Sequence, residues 1–236
     1  MRVIKCKDYE EFSKKAADLV AAQIRMKPNA VIGLPTGSTG IGMYDNLAHM
    51  DLDFSEVTTF NLDEYLGLDP SNDQSYYYFM NKNLYSRVNL KPENTNIPKG
   101  IGGDIEGMAH AYDEKIAAMG GIDTMVLGIG NNGHIGFNEP NAKLDARTHI
   151  VDLTPETIQA NSRFFASAAD VPTQAVTMGM GSILKAKHIL MLASGKNKEK
   201  AVRELLGNDV MTTNPSTLLL THPNVTVLID CGSVNL

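Results

Sequence analysis

The sequence predicts one α/β domain spanning residues 1–236, and three observations predict it. Short β-rich runs alternate with longer segments of helical period along the chain. The runs are almost wholly apolar, which is typical of parallel strands buried on both faces. No Pro/Ser-rich linker, repeat or low-complexity tract interrupts the alternation. We therefore expect an open, mostly parallel twisted sheet with helices on both faces, a Rossmann-like three-layer domain with its active site at the carboxyl ends of the strands.

The first half of the chain carries clear helix and strand signals. Residues 8–27 place their apolar side chains on one helical face, and Asp8 is the expected N-cap. The elements expected next are a strand in AVIGL, a helix in IGMYDNLAHM, a strand in EVTTFNL, a helix around SYYYFMNKNLY, an amphipathic helix over 103–119 and a strand in TMVLGI.

The second half continues the alternation. A strand in THIVDL leads into a helix whose start is marked by Thr154 as cap, Pro155 in the first turn and Glu156 soon after. The remaining elements are strands in AVTMGM, HILMLAS and VTVLIDC, a short helix after the first of them, and a helix in KNKEKAVRELLG.

Composition excludes several function classes. The 21 basic and 27 acidic residues give a net charge of −6, which argues against a nucleic-acid partner. The two cysteines, Cys6 and Cys231, form neither a disulfide framework nor a zinc motif. Charges interrupt the N-terminus where a signal peptide needs an apolar run, and no apolar window approaches the ~18 residues of a membrane span. We expect a cytoplasmic protein with no membrane partner.

The run GIGNNGHIGFNEP, residues 128–140, contains the spacing G-x-G-x-x-G of dinucleotide-binding turns. That motif requires a helix to start within the glycines and continue beyond them. Here Gly136 disfavours the helix and Pro140 would break its interior. The sequence context therefore excludes a nicotinamide site.

Three loops end strands at what should be one edge of the sheet, and the first is GLPTGSTG. It lacks the G-K-[ST] of a nucleotide P-loop, yet Thr36, Gly37, Ser38 and Thr39 offer N–H groups and hydroxyls at a helix start. Such a turn binds phosphate well, although an ordinary strand-to-helix turn is an equally good reading of this loop alone.

The other two loops carry acid and base side chains. Asp63 in FNLDEYLG is either a solvated turn residue or a base directed into a cleft. Asn132, His134, Asn138 and Glu139 lie within eight residues, interleaved with glycines. A single histidine is usually structural, but one followed by a carboxylate five residues later fits an oriented acid/base pair.

Taken together, GLPTGSTG, FNLDEYLGL, SYYYFMNKNL, GIGNNGHIGFNEP, ANSRFF and SGKNKEKA resemble the glucosamine-6-phosphate deaminase family, its short non-allosteric type. The motifs occur in the family's order. The related 6-phosphogluconolactonases share the fold and a G-x-x-GH turn, but FNEP and DEY side with the deaminases. The resemblance implies that glucosamine 6-phosphate is the substrate and that fructose 6-phosphate and ammonia are the products.

The resemblance also implies roles for individual residues. Asp63 would take the C2 proton and pass it to C1. His134 would assist opening of the sugar ring, oriented by Glu139 and Asn132. No metal and no organic cofactor is required.

Phosphate binding is implied for the 36–39 loop together with Arg163 of ANSRFF and a lysine of SGKNKEKA. We choose Lys198 over Lys196 because the spacing in this segment slips by one residue among family members. For Arg163 alone, a surface ion pair is the competing interpretation. The segment around 150–172 is predicted to form a lid over the active site.

Two departures from the family pattern bear on regulation and chemistry. Some members have Asp where this chain has Asn132, which cannot carry a negative charge. Longer members bind N-acetylglucosamine 6-phosphate between subunits through basic residues, and those positions here hold His149 and Val151. We therefore expect no activation by that sugar and a monomer or small homo-oligomer in preference to the allosteric hexamer. A non-catalytic sugar-phosphate sensor and a lactone hydrolase remain alternatives.

Overall fold

The computed structural model describes residues 1–162, 165, 167 and 170–236, and a seven-stranded parallel sheet forms its centre. The strands of this sheet are β1 (Arg2–Cys6), β2 (Val31–Leu34), β3 (Thr58–Asn61), β5 (Thr95–Asn96), β6 (Thr124–Gly128), β9 (Ile189–Ala193) and β10 (Val225–Asp230). Their order across the sheet is β1-β10-β9-β6-β2-β3-β5, and every neighbouring pair is parallel. The prediction of an open parallel sheet is confirmed.

Helices cover both faces of the sheet and bury a separate apolar cluster on each. The first cluster draws on α1, α2 and α3, and the second on α4, α6 and α7. The helices are α1 (Tyr9–Met26), α2 (Ile41–His49), α3 (Tyr76–Asn83), α4 (Ile105–Ala118), α5 (Pro155–Asn161), α6 (Met180–Ile183) and α7 (Glu199–Leu205). The three-layer arrangement follows from strands whose two faces are both apolar.

The predicted helix starts are confirmed where a side chain caps them. Asp8 accepts a hydrogen bond from the N–H of Glu11 at 2.9 Å and begins α1. Thr154 accepts one from the N–H of Thr157 at 3.2 Å and begins α5. Because these caps satisfy N–H groups that the first helical turn leaves free, the sequence fixes where the helices begin.

A second, three-stranded antiparallel sheet lies beside the main one. Its order is β4-β8-β7, with β4 at Asp63–Tyr65, β7 at His149–Asp152 and β8 at Gln174–Thr177. The strands in THIVDL and AVTMGM are therefore predicted correctly, but they belong to this small sheet. Its third strand was not predicted, because three residues are too few to show a period.

Two further strands of the main sheet carry weak signals. β1 is an edge strand with its first four residues at least partly exposed, so it lacks the apolar run of a central strand. β5 has only two residues.

Both cysteines are free thiols. Within the described ranges, no helix combines the length and the apolar character needed to cross a membrane.

Candidate active site

The site lies at the carboxyl ends of β2 and β6, which are neighbours in the sheet. From β2 the chain continues to β3 on one side, whereas β6 is followed in the sheet by β9 on the other. The connections therefore diverge between β2 and β6 and leave a crevice there, the usual ligand position in open α/β sheets. The loops that follow the two strands, starting at Pro35 and Ile129, flank this crevice.

The loop after β2 is a glycine-dependent turn that leads through a short 3₁₀ segment, Ser38–Gly40, into α2. Gly37 has φ 93°, a left-handed conformation that favours glycine. No side chain among the described residues accepts a hydrogen bond as the cap at Gly37 or Gly40, although the N–H of Gly42, in the first turn of α2, donates to the hydroxyl of Tyr9 at 3.1 Å. Thr36 and Thr39 are half-buried and Ser38 is exposed.

Buried tyrosine and asparagine side chains hold the start of this turn. The hydroxyl of Tyr44 donates to the carbonyl of Pro35, and the amide of Asn61 donates to the carbonyl of Leu34 at 2.9 Å. Asn61 in turn accepts the hydroxyl hydrogen of Tyr85 at 2.6 Å. The turn is therefore attached to rigid elements on two sides, which limits its movement when an anion binds.

Asp63 is separated from the end of β3 by one residue, Leu62, and is the first residue of β4. It is 6% exposed, so the interpretation as a solvated turn residue is wrong. A methyl group built on Gly136 would lie 3.2 Å from Asp63 Oδ2, which places this carboxyl against the loop that carries His134. Burial, with a smaller contribution from the charge of Glu64, raises the pKa of Asp63 to about 8.

Glu64 is a site residue that the sequence analysis missed. Its carboxylate accepts hydrogen bonds from the N–H groups of Tyr65, Tyr76 and Tyr77 at 2.9, 2.9 and 3.0 Å. Two of those N–H groups belong to the first turn of α3, where a negative charge is stabilised. Burial raises the pKa of Glu64 in spite of these bonds. The residue fixes β4, and with it Asp63, to α3.

The glycines of the run 128–140 allow close packing and tight turns in the loop after β6. A methyl group on Gly130 would lie within 2.5 Å of the His134 ring, and one on Gly133 would lie 1.8 Å from Asn214 Oδ1. Gly133 and Gly136 have φ values of 85° and 59°. No helix follows them between β6 and β7, so the exclusion of a dinucleotide site is consistent with the fold.

His134 and Glu139 form a hydrogen-bonded pair. Nδ1 of His134 lies 3.1 Å from both carboxylate oxygens of Glu139. Asn132 donates to Oε2 of Glu139 at 2.7 Å and accepts from the N–H of His134 at 3.2 Å. Thr157 of α5 donates to Oε1 at 2.7 Å. Burial alone would raise the pKa of Glu139, but His134, Thr157 and Asn132 together lower it to about 2.

The lysines predicted for phosphate follow β9, on the far side of β6 from β2. Lys198 ends the 3₁₀ segment Lys196–Lys198 and is half-buried, whereas Lys196 is exposed. Gly195, with φ 109°, turns the chain into this segment. Arg163 lies outside the described residues, as does part of the predicted lid.

Asp230 supports the lysine segment and was also missed by the sequence analysis. This side chain is 2% exposed and accepts the hydroxyl hydrogens of Ser194 at 2.8 Å and Ser233 at 2.6 Å. Ser233 Oγ then accepts the N–H of Gly195 at 2.8 Å. The end of β10 therefore holds the turn that precedes Lys196 and Lys198.

Tyr76 packs in the aromatic cluster beside the site, and its two neighbours in sequence do not. Its ring stacks on Phe137 with a centroid distance of 6.1 Å and lies 4.8 Å from the ring of Tyr65. Tyr77 and Tyr78 are 42% and 38% exposed. Tyr76 therefore packs in the aromatic cluster, whereas Tyr77 and Tyr78 lie on the surface.

A cavity of about 700 Å³ lies elsewhere, at the far end of β4 and β8. Its lining residues are Leu66, Gly67, Gly100, Ile101, Gly102, Ile105, Asp170, Val171, Pro172, Thr173 and Gln174. The only charge among these lining residues is the carboxylate of Asp170, which would repel a phosphate. The crevice between β2 and β6, with its uncapped turn and nearby lysines, is therefore the better candidate for the active site.

In the part of the chain that is described, no three His, Cys, Asp or Glu side chains are grouped to hold a metal ion.

Comparison with known proteins identifies the family of this chain. Residues 7–228 match the family described as glucosamine-6-phosphate isomerases/6-phosphogluconolactonase. The chain belongs to this family. A glucosamine-6-phosphate deaminase of Halothermothrix orenii is 55% identical over 240 residues, covering 100% of both chains. One from Clostridioides difficile is 54% identical over 234 residues, covering 98% of this chain and 94% of the relative.

Solved structures of family members show the same fold. A monomeric glucosamine-6-phosphate deaminase superposes with a TM-score of 0.96 at 44% identity, covering 98% of each chain. A 6-phosphogluconolactonase from Shewanella baltica superposes with a TM-score of 0.76 at 20% identity, covering 97% of each chain. At that lower identity the likeness shows the fold alone.

The buried carboxyl of Asp63 leads to a stability prediction. A carboxyl with a raised pKa binds its proton more tightly in the folded than in the unfolded protein, so stability falls as pH rises from ~4 towards about 8. Asp63→Asn removes this penalty. We expect the variant to be about 2–4 kcal/mol more stable than the parent at pH 8 and equal to it below pH 4, measured by urea unfolding.

A surface substitution provides the matched control. Asp18→Asn on the exposed side of α1 changes net charge equally and should leave stability within about 0.5 kcal/mol at both pH values. A stability difference for Asp63→Asn that is the same at pH 4 and pH 8 would contradict the assignment of a raised pKa to this carboxyl.

Proposed function

We propose that this protein converts glucosamine 6-phosphate and water to fructose 6-phosphate and ammonia. The observation that carries the proposal is the position of a buried carboxyl, Asp63, beside Gly136 in the loop that holds the His134–Glu139 pair, where a methyl group on the glycine would lie 3.2 Å from Oδ2. A proton base and an imidazole acid/base thus meet at one crevice. Full-length identity of 55% to a glucosamine-6-phosphate deaminase supports the same substrate.

Asp63 acts in this proposal as the base for isomerisation. It takes the proton from C2 of the open-chain amino aldose, the C–H electrons form the C1–C2 double bond, and O1 takes up a proton from water, which gives an enolamine. The same carboxyl returns its proton to C1 while the nitrogen lone pair forms a C2–N double bond. Water adds to C2 of this iminium and releases a proton, and collapse of the adduct to the ketone expels ammonia. A carboxyl with a pKa of about 8 is a far stronger base than a solvated one and therefore better matched to a carbon acid.

His134 opens the sugar ring. Because Nδ1 faces the Glu139 carboxylate, Nδ1 carries the hydrogen and Nε2 is left to exchange a proton with the ring oxygen. Asn132 donates to the same carboxylate and fixes its plane. Glu139 stays ionised throughout the neutral range, since its pKa is about 2.

The phosphate is assigned to the turn formed by Thr36, Gly37, Ser38 and Thr39, with cations from Arg163 and Lys198. The uncapped N–H groups of the turn suit a phosphate, and the half-buried position of Lys198 favours it over the exposed Lys196. Roles for metal or organic cofactors are not needed in any of these steps.

The proposed enzyme is a cytoplasmic monomer or small homo-oligomer without allosteric activation. His149 is already engaged, with Nδ1 2.8 Å from the carbonyl of Arg147 and Nε2 3.6 Å from Asp145 Oδ2. Val151 packs against the aromatic cluster. Neither residue presents a free cation to a second sugar phosphate, and a solved relative at 44% identity is monomeric.

The first test is the reaction itself. Incubation with glucosamine 6-phosphate should release ammonia and fructose 6-phosphate in equal amounts. Asp63→Asn should lower kcat by at least about 10³-fold, since the proton has no other acceptor, while inorganic phosphate or a phosphorylated inhibitor still binds. Binding of the sugar phosphate without products would instead indicate a sensor, and hydrolysis of 6-phosphogluconolactone in place of deamination would indicate a lactonase.

The second test concerns pH. Since Asp63 must be ionised to act as the base, kcat/KM should rise with pH and level off above about pH 8. Glu64→Gln removes the neighbouring negative charge and should move this rise to lower pH. Titration of the substrate is the same for both proteins and therefore cannot cause the difference.

A matched variant separates the effect of the Glu64 charge on the pH profile from the effect of a weakened α3. Ser75 caps α3 by accepting the N–H of Tyr78 at 3.0 Å, so Ser75→Ala weakens the same helix without changing charge. It should leave the midpoint of the profile in place. If Ser75→Ala and Glu64→Gln moved the midpoint equally, the electrostatic role of Glu64 would be wrong.

The third test concerns regulation. Rate curves for glucosamine 6-phosphate should be hyperbolic, and N-acetylglucosamine 6-phosphate should leave the half-saturating concentration unchanged, apart from competition at high concentration. A sigmoidal curve that becomes hyperbolic on addition of the acetylated sugar would overturn the proposed absence of an allosteric site at His149 and Val151.

A further inference from the structure

Thr157 connects helix α5 to the carboxylate of Glu139. Its hydroxyl donates to Oε1 at 2.7 Å, while Asn132 donates to Oε2 at 2.7 Å. The two donors hold the two oxygens of the carboxylate from opposite ends. His134 Nδ1 lies 3.1 Å from both oxygens, so the direction of the imidazole depends on how these two donors orient the carboxylate.

The hydroxyl of Thr157 is itself oriented. Thr154 Oγ1 donates to Thr157 Oγ1 at 3.1 Å and accepts the N–H of Thr157 at 3.2 Å. Because the oxygen of Thr157 already accepts one hydrogen bond, its own hydrogen is free to point at Glu139. The side chain that begins α5 therefore also directs the bond to the acid/base pair.

Helix α5 packs against the rest of the protein through a small apolar contact, and we call this packed position the seated position of α5. Ile158 packs against a small cluster formed by Tyr65, Phe137, Leu153 and Ala175, which is separate from the two large clusters of the sheet. Elements held by few buried apolar contacts open at lower free energy than core elements. Phe137 lies in the same loop as His134, so the apolar contact and the Thr157 bond join α5 to one loop.

We propose that Thr157 is a positioning residue that couples the seating of α5 to the orientation of His134 through Glu139. When α5 is seated, Glu139 has three donors and the imidazole faces the crevice. When α5 leaves, Oε1 loses its donor and the carboxylate turns about its remaining bonds. The inference rests on the proposed role of His134 in ring opening.

The test uses three variants of the whole protein. Thr157→Val keeps the branched shape and removes the hydroxyl, Thr157→Ser keeps a hydroxyl, and Thr154→Ala removes the helix cap without touching Glu139 directly. We expect Thr157→Val to lower kcat about tenfold with little change in KM, because a hydrogen bond to an ionised group is lost. Thr157→Ser should restore most of the activity.

A spectroscopic readout in the free protein separates positioning from stability. The ring N–H resonance of His134 in ¹⁵N-histidine-labelled protein is assigned by its loss in His134→Gln. We expect Thr157→Val to shift this resonance, Thr157→Ser to keep it near the parental position, and Thr154→Ala to shift it less than Thr157→Val. Circular dichroism confirms that each variant is folded.

The outcomes distinguish this inference from the proposed function. An unshifted His134 resonance in Thr157→Val, or an unchanged kcat in a variant with a shifted resonance, overturns the coupling. Full ring-opening activity in His134→Gln would instead refute the proposed role of His134, whatever the resonance of the Thr157 variants shows.

Discussion

Withdrawal of the Asp63 carboxyl from water is the constraint on which the site depends. An ionised carboxylate in a protein interior is unfavourable unless hydrogen bonds compensate it, and within the described residues no donor bonds to this one. Its neighbour Glu64, equally buried, receives three N–H donors. The two adjacent acidic residues of this short strand therefore differ in their environment. The hydrogen bonds of Glu64 are satisfied and hold its side chain in place, whereas Asp63 has a raised pKa. Burial of the Asp63 carboxylate lowers the stability of the protein, and the large apolar clusters on both faces of the sheet compensate for this loss.

The second half of the site is organised by donors that converge on Glu139. Asn132 matters here because it donates to Oε2 at 2.7 Å. An aspartate in that place would bring two carboxyl groups within hydrogen-bond distance, and they would have to share a proton. With asparagine, the negative charge of the pair rests on Glu139 alone, and the imidazole has a single anionic partner. The consequence of asparagine at this position is therefore a change in protonation.

Sequence reasoning reached the sheet and the main helices, because apolar strands and capped helices follow from local rules. That Asp63, His134 and Glu139 act together with the 36–39 loop stays a prediction, which the position of Asp63 next to Gly136 supports. Sequence reasoning missed Glu64, Thr157 and Asp230, each of which depends on a partner at least 12 residues away in the sequence. The small antiparallel sheet was missed for a related reason, since pairing of β4 with β8 depends on tertiary packing. Arg163 stays a prediction.

The attachment of the lysine segment to the last strand has a consequence for heat and denaturant. Ser194 and Ser233 meet on Asp230, and the N–H of Gly195 is held through Ser233. Loosening of the chain beyond β10 would therefore release the turn before Lys198 and expose Val234, while the strands of the sheet are still paired. If Lys198 binds the phosphate as proposed, affinity for an anionic sugar would then decline at temperatures where the circular dichroism of the sheet has not begun to change.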